Sequence, residues 1–168
     1  MARSQNALLM TPSEKRQVIK SAFDRLNAYL ESKDYLAANI IAFSILEEWT
    51  LTAYIRCFQA KNKTTALPSP KVNKEKFSRA VDELLSMNVI DSTLSQDLKN
   101  AANVRNTQVH ELIWHMNAFK ASQAKTYMSL IRKVERKHML FLKQDWLSCD
   151  VSTNPCLGQS ISIGNRPS

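Results

Sequence analysis

Only two of the 168 residues are glycine, Gly158 and Gly164, and both fall in the final stretch of the chain. Tight β-hairpins close through residues with positive φ, a role glycine fills most easily, so a body without it disfavours strands joined by short turns. The apolar residues recur instead at helical spacing. Thr11-Pro12-Ser13-Glu14 reads as a capping box with proline at the first helical position, followed by Val18, Ala22, Leu26 and Tyr29 or Leu30. The expected fold is all-α, an antiparallel bundle of about five helices.

The first helix is expected to end near Ser32, with Asp34 capping the second. Leu36, Ile40, Ala42, Phe43, Leu46, Trp49, Ala53 and Ile55 make helix two the most apolar segment and the candidate centre of the bundle, running to about Ala60. Pro68 and Pro70, set among lysines and threonines, mark a connection within one domain. Helix three starts at Lys74, turns Phe77, Val81, Leu84 and Leu85 inward, and stops near Asn88. Asp91 or Ser92 caps helix four, which reaches about His115. Asn117 is positioned to cap helix five, where Ala121, Ala124, Met128, Ile131 and Val134 keep the repeat. Residues 11–147 form one helical domain, 1–10 a flexible N-terminus, and 148–168, rich in Ser, Asn, Pro and Gly, a disordered tail.

The formal net charge of +8 favours an acidic partner such as nucleic acid. Cys57, Cys149 and Cys156 are odd in number and lack metal-ligand spacing, which points away from a disulfide framework or a zinc site and towards a reducing cytoplasm. No apolar run approaches a membrane span, and Ala7-Leu8-Leu9-Met10 is too short for a signal segment, so no membrane association is expected.

The residues that carry chemistry lie in Val104-Arg105-Asn106-Thr107-Gln108-Val109-His110 on helix four. An arginine can clamp a phosphate with its planar fork, and a histidine about one turn further on can move a proton. Together they are the minimum kit for cleaving RNA with no metal and no cofactor. Asn106 and His110, four apart, share a helix face, whereas Arg105 and His110 lie ~140° apart around the axis, so one copy frames a loose site. Glu47 and Glu48 on helix two are candidates to orient Arg105 or His110, with Glu48 preferred; as a purely structural alternative, either carboxylate pairs with Arg105 as a surface ion pair. Trp114 and His115 follow the motif, and Trp114, like Trp49 and Trp146, is expected in the core. His138, among Arg132, Lys133, Arg136 and Lys137, is expected on a solvated basic face able to track a phosphate backbone.

Arg105-Asn106, four intervening residues and His110 resemble the signature of the HEPN superfamily (higher eukaryotes and prokaryotes nucleotide-binding domains), and the helix order from Thr11 to Leu147 is similar to that family's. The resemblance implies a homodimer with two motif helices facing across a cleft. Each wall would then supply an Arg105 and a His110, with Asn106 in support. It implies an endoribonuclease giving 2′,3′-cyclic phosphate and 5′-hydroxyl ends, in a toxin or defence effector that an antitoxin or regulatory protein can control. Some HEPN toxins carry a modifiable tyrosine two positions after the histidine; Leu112 stands there in this chain, which removes that mode of control. A non-catalytic HEPN-like regulator or adaptor, using the same helix as a protein interface, is the rival reading. A basic DNA-binding helical protein is a weaker third, since no helix-turn-helix with its glycine turn is present.

Overall fold

The computed structural model describes residues 12–66, 77–110 and 119–148, all in helices or the turns beside them. The helices are α1 (Pro12–Glu31), α2 (Tyr35–Lys61), α3 (Phe77–Ser86), α4 (Ser92–His110) and α5 (Ala121–Ser148). The all-helical bundle read from the apolar repeats is therefore what the chain forms. The expected caps at Thr11 and Asn117, the loop prolines, the extension of α4 to His115, and both chain ends lie outside the described residues.

Local chemistry fixes the helix starts. Asp34 Oδ1 accepts the Ala37 N–H at 3.0 Å, and Asp91 Oδ1 accepts the Leu94 N–H at 2.9 Å, which assigns the α4 cap to Asp91 rather than Ser92. That hydrogen bond, with Lys137 beside it, holds the Asp91 carboxyl below its ordinary range. At α5 the Lys120 N–H donates back to Gln123 Oε1 at 3.4 Å, half of a capping box.

The helix ends show how the body manages with no glycine. Lys33, Lys63 and Asn88 take left-handed backbone, with φ of 60°, 47° and 59°. After α2 the Thr64 N–H reaches the Gln59 carbonyl and the Lys63 N–H the Ala60 carbonyl; after α3 the Val89 N–H reaches Leu84 and the Asn88 N–H reaches Leu85. Both are Schellman closures, and Val89 and Leu84 are buried as that motif's apolar contact requires. A lysine in this region strains its Cβ against the backbone. Lys63→Gly is therefore expected to stabilise the fold by up to about 1 kcal/mol, a rise of roughly 2–4 °C in Tm by calorimetry.

Helix α2 is the central element, packed against each of the other four. Its buried residues, among them Ala38, Ala42, Phe43, Leu46, Thr50, Tyr54 and Cys57, cover about half of its circumference. The buried Thr50 hydroxyl is satisfied by the Leu46 carbonyl at 2.8 Å. The most lateral element is α1, whose extensive packing is against α2 alone. Leu26 is its buried anchor, while Val18, assigned by periodicity to the same apolar stripe, is 55% exposed.

Helices α4 and α5 run antiparallel. Asp91 pairs with Lys137 at 2.9 Å, Asp97 with Lys133 at 3.3 Å, and Gln108 donates to Gln123 at 3.0 Å, so α4 numbers rise as α5 numbers fall. The C-terminal end of α4 consequently sits beside the start of α5. Exposed pairs of this kind are worth about 1 kcal/mol or less, and fix register more than stability.

Candidate functional site

Phe43 of α2 is the point where four helices meet. Its ring lies 5.4 Å from that of Phe77 on α3 and 5.5 Å, edge to face, from that of Tyr127 on α5. The Arg105 guanidinium of α4 sits over it, 5.5 Å from the centroid. Aromatic pairs contribute about 0.5–1.5 kcal/mol beyond area burial, and a guanidinium over a ring about 0.5–1 kcal/mol. The ring and a hydrogen bond both hold the guanidinium: Nη1 donates to Asn106 Oδ1 at 3.0 Å. Arg105 is half-buried, not openly solvated as a cleft-lining cation would be, while Asn106 and His110 are exposed.

The trio thus has one anchored member and two in solvent, as the helix geometry requires: Arg105 leans to the α2 side and His110 points about 140° away. Below the motif, Gln108 is buried and bonds Gln123, and Asn39 Nδ2 bonds the Lys120 carbonyl at 3.2 Å, tying the end of α4 and the start of α5 to the bundle. The Tyr127 hydroxyl and Asn39 Oδ1 are buried with no hydrogen-bond partner among the described residues. Burial raises the Tyr127 phenol above its ordinary range, with Arg105 opposing.

Glu48 is placed elsewhere. It is exposed and lines an open groove between α1 and α2 with Val18, Ala22, Ile41, Ile45 and Trp49. Glu48 is five positions from Phe43, about 140° around α2 from the ring that carries Arg105, whereas Glu47 is four positions away and shares that face. Trp49 is half-buried, edge-on to Phe23 at 6.4 Å. Trp114, His115 and the Trp146 side chain lie outside the described residues.

His138 corrects the sequence reading. It is 6% exposed, with Nε2 unpartnered among the described residues, and not on a solvated face. Its place on α5 is in phase with the core residues Tyr127, Ile131 and Val134, and this phase outweighs its four cationic neighbours in sequence. Burial first, and the charge of Arg56 second, push its pKa below the usual value of 6.5. The unfolded chain therefore binds more protons than the native one below that value, so stability is full at neutral pH and falls as pH drops through about 6.5. Denaturant unfolding at pH 7.5 and 5.5 is expected to show this loss, and His138→Leu to remove it.

Among the described residues no group of three or more His, Cys, Asp and Glu side chains is placed to hold a metal ion, and no helix is long and apolar enough to cross a membrane. Comparison with protein-family models, with curated proteins and with solved structures gives no match.

Proposed function

We propose that the chain is a metal-independent endoribonuclease of the HEPN type, acting in the cytoplasm as a homodimer with a composite site, in the role of a toxin or defence effector. The observation that carries this reading is the arginine fixed in place by Phe43 and Asn106, with an exposed imidazole about one turn further along the same helix. A pre-set guanidinium can bind a phosphate with little rotamer entropy left to lose, which is the economy a charge-stabilising group needs. Arg105 without His110 would suit a phosphate-binding module; the pair suits a reaction.

The chemistry needs a base, an acid and a group that holds charge. His110 takes the proton from a ribose 2′-hydroxyl as that oxygen attacks the adjacent phosphorus. Arg105 holds the negative charge that builds on the non-bridging oxygens, and the P–O5′ bond breaks with the 5′-oxygen leaving as a protonated hydroxyl. The second imidazole of the dimer is suited to deliver that last proton. The products are a 2′,3′-cyclic phosphate and a 5′-hydroxyl, and DNA has no nucleophile to offer.

The dimer reading draws support from α4 itself. Val104 and Val109, 41% and 40% exposed, lie ~140° apart and flank on either side the exposed face made of Asn103, Asn106, Thr107 and His110. Apolar side chains left in water beside the charged groups favour coverage by a second copy of the same helix. The rival reading, a HEPN-like regulator or adaptor, uses the same valines to hold a different protein. Incubating the protein with a mixed RNA pool in EDTA and mapping the ends separates the two: cyclic-phosphate and 5′-hydroxyl ends support the nuclease, and intact RNA supports the adaptor.

A further inference from the structure

The cations of α5 divide into two sets. Lys133 and Lys137 turn to α4 and are engaged by Asp97 and Asp91. Lys125, Arg132, Arg136 and Lys143 are all exposed and fall on one stripe, spaced seven, four and seven residues apart. That stripe is opposite the line of Ala124, Tyr127, Leu130 and Val134 that faces the core. It extends about 27 Å along the helix, and the acidic residue nearest it among the described α5 side chains, Glu135, flanks it three positions from Arg132, ~60° around the axis. Exposed Met139 and Leu140, at 47% and 51%, flank it on either side.

From this arrangement we propose that the outward stripe of α5 is a binding track for single-stranded RNA. Charge complementarity selects the partner: four cations along one helix face, in a chain of net charge +8, match a repeating phosphodiester. Two exposed apolar side chains beside them offer a surface for unstacked bases, which a polyanion without bases would not use. The antiparallel pairing of α4 with α5 gives the track a direction. The Gln108–Gln123 hydrogen bond puts the Lys125 end of α5 at the motif end of α4, with the stripe on the side of α5 away from Arg105, and the Asp91–Lys137 pair lies towards the other end. RNA flanking a phosphate held at the motif thus extends along α5. This placement rests on the nuclease reading; binding by the stripe does not.

The test measures the affinity of the full chain carrying His110→Ala for a labelled single-stranded RNA by fluorescence anisotropy, between about 50 and 200 mM salt. Neutralising all four cations (Lys125→Gln, Arg132→Gln, Arg136→Gln and Lys143→Gln) is expected to weaken binding more than about tenfold. The same change should lower the log–log salt slope by about 3, near 0.7 for each phosphate that a cation no longer neutralises. Met139→Ser with Leu140→Ser is expected to weaken binding and leave that slope in place. Lys133→Gln, in the Asp97 pair, serves as the surface-charge control, and circular dichroism checks the fold of each variant. An unchanged slope in the fourfold variant overturns the proposal. So does stripe-dependent binding to phosphatidylserine vesicles when RNA binding is unaffected. A wild-type protein that cuts no RNA and keeps the stripe-dependent slope overturns the nuclease reading alone; one that cuts RNA with a stripe-independent slope overturns the track alone.

Discussion

Replacing His110 by alanine is expected to lower RNA cleavage by about 10²- to 10⁴-fold and to leave the melting temperature nearly unchanged. The imidazole is exposed, so its removal takes away a proton-transfer group and little packing. Arg105 behaves differently because it is half-buried on Phe43. Arg105→Ala is expected to abolish cleavage and also to cost about 1 kcal/mol of stability, because the cation–ring attraction and the packing of the apolar stem both go. Arg105→Lys rescues poorly, since a compact ammonium supplies neither the planar fork for phosphate nor the flat face over the ring. Asn106→Ala is expected to have a smaller effect on rate: it removes one restraint on the guanidinium and leaves it over Phe43. Single-turnover kinetics beside thermal melts read both quantities for each variant.

Phe43→Ala is expected to be the most damaging single change to the fold, costing about 3–5 kcal/mol and on the order of 10 °C in Tm. The ring is 4% exposed and joins α2 to Phe77, Tyr127 and Arg105, so its loss opens a cavity where four helices converge. Phe43→Leu fills most of that volume, and so isolates the aromatic contribution. Its expected signature is a smaller loss of stability together with a clear loss of cleavage, because Arg105 keeps a neighbour and loses the ring face that orients it. Equal melting curves for Phe43→Ala and wild type would contradict the junction.

The helices were legible because the chain leaves few other options. Absent glycine removes tight turns, Asp34 and Asp91 announce two caps, and the apolar repeat carries the intervening lengths. Other features needed the third dimension. Helix α2 is apolar around its circumference, so no hydrophobic face distinguished Glu47 from Glu48, and the preference for Glu48 led to the groove with α1 instead of the side that carries Arg105. Local charge misdirected the reading of His138, although its phase with Ile131 and Val134 pointed to the core. The seat of Arg105 on Phe43 joins residues 62 positions apart, and no local pattern announces such a pairing. The ~140° between Arg105 and His110 follows from helical spacing alone, but that spacing does not say which of them faces the bundle: both are expected in an open cleft, whereas Arg105 is half-buried and His110 exposed.

In the proposed reaction the 2′-hydroxyl of RNA is the nucleophile, and Arg105 and His110 act on it without a metal. That reaction is tested most directly with two oligonucleotides of one sequence, one all-ribose and the other carrying a single 2′-deoxy residue on the 5′ side of the mapped cut, each incubated with wild-type protein in EDTA. Cleavage of the first to a 2′,3′-cyclic phosphate and survival of the second at that bond are expected. Cleavage of both at the same bond, or of neither, would contradict that reaction.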